Sequence, residues 1–244
     1  MQTKILDVPF DVVTMEEATI RACKFLKEDK SHYICTPNPE IVMLAQKDTT
    51  LMQILQEADL VIPDGIGVVL ASKVHGEHRL PERVAGYDLT QGIFMALQNT
   101  EESFYFFGGG DTVSKEAKEK MQAKYPHLKI VGVANGFFDE QREKEIIQEI
   151  NDSEASVLLV GLGAPKQEKW IYDHLQVLNV RLAIGVGGSF DVMAERVKRA
   201  PVQFQKLGLE WLYRFLCQPT RWKRMLQLPL FVFTVLRSPQ NNEK

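Results

Sequence analysis

The chain contains only three cysteines in 244 residues, and Cys23, Cys35 and Cys217 lie in separate segments with no CxxC pair. That excludes a disulfide framework and a cysteine-built zinc site, and it fits reduced, intracellular thiols. The histidines at 32, 75, 78, 127 and 174 are scattered, and His75 with His78 has no third ligand nearby. No D-x-D occurs, so the usual carboxylate pair for a nucleotide–Mg²⁺ complex is missing and no metal or other cofactor is expected. No apolar run reaches the roughly 18 residues of a membrane-spanning helix; the longest, 225–236, is short and carries Pro229. Met1-Gln2-Thr3-Lys4 leads into a polar/apolar alternation, not a signal segment, so the chain is expected on the cytoplasmic side. A net charge of −3 excludes a generally basic nucleic-acid binder. With 45% hydrophobic and 25% charged residues, disordered, collagenous and coiled-coil classes are excluded too.

Two nucleotide signatures are also missing. The dinucleotide fingerprint G-x-G-x-x-G fails at Gly108-Gly109-Gly110, where Val113 takes the third glycine's place, and at Gly185-Val186-Gly187, where Phe190 does. No G-K-[ST] occurs, so a P-loop ATPase is excluded along with hydride transfer.

What is present is an alternation. Residues 3–13 predict a short hairpin or edge strand around Pro9, and the capping box Thr14-Met15-Glu16-Glu17 opens a helix to about residue 27. Apolar runs at 32–36, 60–63, 103–108, 129–133, 156–161 and 181–186 predict strands. Between them, residues 39–57, 66–74, 87–99, 111–124, 139–151 and 165–178 have helical spacing. Strands alternating with helices give an α/β class: a Rossmann-like, mostly parallel sheet with helices on both faces, over residues 1–195. Residues 196–244 form an expected helical appendage, broken near Gln218-Pro219-Thr220. From Arg199 on there are eight Lys/Arg against two acids, a net of +6, so residues 1–198 carry −9. An acidic body with a basic tail is the first clue to function.

Ligands of open α/β sheets bind beyond the carboxyl ends of the strands, so the residues after each apolar run matter most. Those turns hold Gly108, Gly163, Gly187 and Gly188, small residues that let backbone N–H groups approach a nucleotide or phosphate. Asp64, after Leu60-Val61-Ile62-Pro63 and before a glycine, is placed to act as general base toward a hydroxyl; the plainer reading is an Asp-Gly turn or helix cap. Asp191 follows a glycine-rich loop and suits a ribose or base edge, or a helix start. Thr36 and Asn38 can hold a sugar or form a turn beside Pro37 and Pro39. Gln167 can hydrogen-bond a sugar or phosphate, and Arg83 can meet a phosphate or form a loop salt bridge with Glu82.

The tail interleaves Trp211, Tyr213, Phe215, Trp222, Phe231 and Phe233 with Arg214, Arg221, Lys223, Arg224 and Arg237. That mixture suits an interfacial helix on an anionic membrane, or a plain helical cap with solvated charges. Arg214, Arg221 and Arg224 also offer bidentate recognition of a diphosphate.

Five ordered motifs carry a family resemblance: Thr36-Pro37-Asn38-Pro39-Glu40, the Pro-Asp-Gly-Ile-Gly of 63–67, the Pro-Glu-Arg-Val-Ala-Gly-Tyr-Asp of 81–88, the Gly-Leu-Gly-Ala-Pro-Lys-Gln-Glu-Lys-Trp of 161–170 and the Gly-Val-Gly-Gly-Ser-Phe-Asp-Val of 185–192. Together they resemble the WecG/TagA/CpsF glycosyltransferases over nearly the whole chain, and the basic aromatic tail is most similar to the TagA branch. The resemblance implies inverting transfer of N-acetylmannosamine from its UDP derivative to the 4-hydroxyl of N-acetylglucosamine on undecaprenyl diphosphate, a step of teichoic acid linkage-unit synthesis. It implies Asp64 as base, Thr36, Asn38 and Gln167 in the sugar pocket, and the arginines at 214, 221 and 224 facing the acceptor diphosphate. The nucleotide is expected at Gly187, Gly188 and Asp191. The implied partners are the UDP-sugar, the polyprenyl diphosphate-linked acceptor and the inner membrane surface, which the enzyme would meet peripherally. A sister enzyme using another UDP-sugar, such as a uronic acid form, and a non-catalytic nucleotide-binding scaffold stay open. So does a homo-oligomer, since apolar helix faces pack within a chain or between subunits.

Overall fold

The computed structural model describes residues 1–206, 208–217 and 226–238, with His75, Lys206 and Arg214 described by backbone alone. The chain opens with an antiparallel hairpin, β1 (Gln2–Ile5) and β2 (Val8–Asp11). Its turn is Leu6-Asp7, both at positive φ (49° and 64°), as the twist of a tight two-residue hairpin demands. Pro9 sits inside β2 opposite Lys4, as the expected hairpin or edge strand around it allows; a two-stranded ribbon is all edge, so a missing N–H is tolerated there.

Buried Asp11 ties the hairpin to the body, accepting hydrogen bonds from Arg21 Nη1 at 2.7 Å and from the Val61 backbone at 2.9 Å. Helix α1 (Met15–Phe25) starts from the expected capping box: the Thr14 hydroxyl accepts from the Glu17 N–H, and the Glu17 carboxylate accepts from the Thr14 N–H.

Strands β3 (His32–Cys35), β4 (Leu60–Val61), β5 (Ser103–Gly108), β6 (Lys129–Ala134), β7 (Val157–Gly161) and β8 (Leu182–Gly185) form one parallel sheet in the order β4-β3-β8-β7-β5-β6. Side-chain alternation divides each strand between two cores. Tyr33, Cys35, Tyr105, Phe107, Leu158, Val160 and Ala183 face one; Ile34, Phe104, Phe106, Val157, Leu159, Leu182 and Ile184 face the other. The first core is covered by α2 (Pro39–Ala45), α3 (Thr49–Glu57), α4 (Ile66–His75), α7 (Glu140–Asp152) and α8 (Lys166–His174). Against the second pack α1, α5 (Gly86–Leu97), α6 (Val113–Lys124) and the short α9 (Ser189–Met193). The expected single helix over 39–57 is two, because the Asp48 side chain accepts from the Leu51 N–H and starts α3 afresh.

The described C-terminal helices are α10 (Val202–Lys206), α11 (Glu210–Cys217) and α12 (Gln227–Arg237). Phe231 and Val235 of α12 are buried in the first core, beside α2 and α4. Phe231, grouped at first with membrane-facing aromatics, is thus a core residue. Among the described residues no helix is long and apolar enough to cross a membrane.

Candidate active site

The central strands β3 and β8 are neighbours, yet the helices that follow them leave on opposite faces, α2 toward one core and α9 toward the other. Such a switch point opens a crevice at the carboxyl ends of the strands. A cavity of about 560 Å³ fills it, within the range of small-molecule sites. The loops after β4, β3, β8 and β7 form its walls, and the C-terminal helices close one side with Trp211, Phe215, Phe231 and Val232.

Three helices of nine to twelve residues, α4, α5 and α8, begin at this cavity without a side-chain N-cap. The Gly86 N–H that opens α5 donates to Asp64 Oδ2 and the Gln167 N–H in α8 donates to the Gly163 carbonyl, while the positive dipole ends of all three helices lie at the cavity, where an anion suits them. Gly163 (φ 77°) and Gly187 (φ 52°) line the same space, and no atom lies within 4 Å of where a Cβ would project. Glycine there keeps the backbone open to the cavity and allows the left-handed conformation.

Asp64 lies on the wall, half-buried, with Oδ2 3.5 Å from the Gly86 nitrogen at the start of α5. Its own N–H donates to the Pro37 carbonyl at 3.3 Å, which fixes the β4 loop against the β3 loop. Thr36 is buried, its hydroxyl donating to the Gly185 carbonyl at 3.2 Å across the switch point. Asn38 spends its side-chain oxygen capping α2 through the Ile41 N–H at 3.0 Å, and its amide still lines the cavity.

Gln167 is 2% exposed, and its amide is engaged at both ends. Its Oε1 accepts from the Gly187 N–H, and its Nε2 donates to Glu168 Oε1, each at 2.9 Å. Gln167 therefore holds the glycine loop in place as well as lining the cavity. Glu168 is equally buried, and among the described residues its second oxygen has no hydrogen-bond partner. Burial pushes its carboxyl above the usual range, against the pull of the Gln167 hydrogen bond.

Arg83 lines the cavity and pairs with Glu210 at 3.2 Å, not with Glu82, which caps α1 by accepting from the Met15 N–H. Gly188 lines the cavity, whereas Gly108 and Asp191 are not among its described wall residues. Gly108 supports the wall from behind: a Cβ there would lie 2.4 Å from the Gly161 carbonyl oxygen. Asp191 sits in the first turn of α9, and its backbone carbonyl accepts from the N–H groups of Arg196 and Val197. Arg214 lies on α11, and Arg221 and Arg224 fall outside the described residues.

Sequence reasoning passed over Tyr87, Arg199 and Glu210, all on the cavity wall. Tyr87 is the penultimate residue of the 81–88 motif, and Arg199 stands in Lys198-Arg199-Ala200-Pro201, just past the expected domain boundary. A basic pair before a proline at that boundary was the available signal.

Comparison with known proteins agrees with this architecture. The chain is 37% identical to a Bacillus spizizenii protein over 90% of its own length and 84% of the relative's. It is 36% identical to a Bacillus subtilis protein (86% and 81%) and 30% identical to a Staphylococcus aureus protein (98% and 94%). All three are named N-acetylglucosaminyldiphosphoundecaprenol N-acetyl-beta-D-mannosaminyltransferase. The family model that describes such chains matches residues 3–244, from the hairpin through the last helix, and on that coverage this chain belongs to the glycosyl transferase WecG/TagA/CpsF family.

Proposed function

We propose that the chain transfers N-acetylmannosamine from UDP-N-acetylmannosamine to the 4-hydroxyl of N-acetylglucosamine carried on undecaprenyl diphosphate, with inversion. The observation that carries this reading is the placing of one carboxylate, Asp64, on a switch-point cavity where the N-termini of α4, α5 and α8 converge. Inversion needs a single displacement: one base at the attacking hydroxyl and stabilisation of the departing diphosphate. Asp64 takes the acceptor's 4-hydroxyl proton as that oxygen bonds to the anomeric carbon. The anomeric C–O bond breaks on the opposite side, and its electron pair leaves with UDP. The positive N-terminal ends of α4, α5 and α8 and the backbone of Gly188 receive the growing negative charge.

Thr36, Asn38 and the loop held by Gln167 shape the sugar pocket. The nucleotide runs over Gly188 toward Asp191 in the first turn of α9, and Gly108 braces that wall through Gly161. Recognition of the acceptor diphosphate is assigned to Arg214, Arg221 and Arg224 on their residue type and the family resemblance. The acceptor's lipid requires work at a membrane surface. On α12 the outward Phe233 and Leu236 are 50% and 65% exposed, and Arg237 lies 4.0 Å over the Phe233 ring, a pairing suited to an anionic interface. Docking there is peripheral and on the cytoplasmic leaflet.

The test is UDP release from UDP-N-acetylmannosamine with and without a short-chain diphosphate-linked N-acetylglucosamine, in EDTA. Acceptor-dependent release supports the reaction and its independence of metal. Release only from another UDP-sugar keeps the fold and moves the substrate, and silence with every donor refutes catalysis.

A further inference from the structure

Beyond the residues already given roles, the cavity wall holds a four-charge cluster. Arg199 forks onto Asp88, Nη1 to Oδ1 at 2.6 Å and Nη2 to Oδ2 at 2.5 Å, with its guanidinium 4.9 Å above the Tyr87 ring. Burial opposes its charge, but Asp88 outweighs that and raises its pKa. Arg83 lies only 3.8 Å from Asp88. Both guanidinium groups also reach one further atom: Glu210 Oε1 is 3.2 Å from Arg83 Nη2 and 3.5 Å from Arg199 Nη2. Arg83, Arg199 and Glu210 all line the cavity, with side chains 16%, 25% and 15% exposed.

The two acids are not equivalent. Asp88 holds Arg199 at two points and belongs to α5, whose Leu89 and Ile93 are core residues, so it is part of the rigid frame. Glu210 makes two single-oxygen contacts and is the first residue of the short C-terminal helix α11. One oxygen shared by two arginines is how such groups take a phosphate oxygen, and phosphate brings more charge and more acceptors than a carboxylate.

We propose that Arg83 and Arg199 form a diphosphate clamp and that Glu210 is its internal stand-in anion, displaced when diphosphate enters. Asp88 and Tyr87 keep Arg199 aimed while Glu210 neutralises the pair in the empty cavity. Exchange of Glu210 for diphosphate releases the first turn of α11, so filling of the cavity is linked to seating of the C-terminal helices. The proposal rests on the transferase reading only for the source of the diphosphate, the UDP-sugar or the lipid-linked acceptor.

The experiment is calorimetric titration of the full chain with inorganic pyrophosphate at fixed ionic strength, for the parent and for Glu210→Gln, Arg199→Gln and Arg83→Lys. Glu210→Gln should bind about 10-fold tighter, one lost ion-pair competitor, and both arginine variants about 10-fold weaker. Arg83→Lys keeps the charge and loses only the fork, so it answers if Arg199→Gln fails to fold. Pyrophosphate affinity unchanged within about 2-fold in Glu210→Gln and Arg83→Lys overturns the clamp. Parallel titrations with UDP and with the short-chain acceptor identify the source by which affinity Glu210→Gln raises; a rise in neither overturns the clamp for substrate. Pyrophosphate binding needs no transfer, so a responsive clamp in a chain that releases no UDP from any donor refutes the reaction and spares the clamp.

Discussion

The Gln167 side-chain oxygen accepts a hydrogen bond from the Gly187 N–H at 2.9 Å, joining the start of α8 to the loop after β8. Gly187 is left-handed and has no side chain to anchor it, so this bond ties its backbone to α8. Gln167→Ala should loosen the loop to which the nucleotide is assigned in our proposal. We expect KM for the UDP-sugar to rise about 10-fold, with kcat changed less, because one buried hydrogen bond is worth on the order of 1 kcal/mol. Steady-state kinetics at saturating acceptor measure the split; a fall in kcat at constant KM would assign Gln167 to the chemical step.

Asp64→Asn keeps the shape of the side chain and removes its basicity. The expected outcome is a folded protein whose turnover falls by about 10² to 10⁴, the usual size of a lost acid–base contribution. Initial rates of UDP release, beside a thermal melt of each protein, check both halves. An unchanged rate would remove Asp64 from the mechanism.

These two residues mark what sequence can and cannot disclose. The strand-end loops were legible because parallel strands are continuous apolar runs and their turns need glycine, so Asp64, Gly163 and Gly187 announce themselves by position. Gln167 was placed in the pocket on the same logic, but its bonds to Gly187 and Glu168 depend on how α8 meets β8, and no local pattern records that. The Arg83–Glu210 pair spans 127 residues and was equally invisible. The Leu6-Asp7 turn left no mark either, since neither residue is a glycine. Phe231 reads as one more aromatic in a basic tail until α12 is seen to seat it against α2 and α4.

Glu168 predicts a pH dependence. Its carboxyl is raised by burial, so the folded state binds a proton more tightly than the unfolded chain does. The stability it contributes is complete below the ordinary carboxyl pKa of 4.5 and is lost as pH rises through the higher folded value. Glu168→Gln carries no charge at any pH and escapes that loss. The difference in melting temperature, variant minus parent, should therefore grow more positive from pH 4 to pH 8. A flat difference across that range would mean that Glu168 titrates normally in the fold.

Phe231 and Phe233 stand two residues apart on α12, one on its buried face and one on its exposed face. Phe231 is 2% exposed and packs in the first core, whereas Phe233 is 50% exposed beneath Arg237. Phe231→Ala empties a buried ring and should cost about 3 to 5 kcal/mol. Phe233→Ala removes surface that water already reaches, and its melting temperature should stay within about 2 °C of the parent's. Sedimentation with vesicles containing anionic phosphatidylglycerol should show the reverse order, Phe233→Ala binding several-fold more weakly while Phe231→Ala, assayed below its melting temperature, binds as the parent does. Equal vesicle binding by Phe233→Ala and the parent would take the outer face of α12 out of the membrane contact and leave that role to the basic residues of the tail.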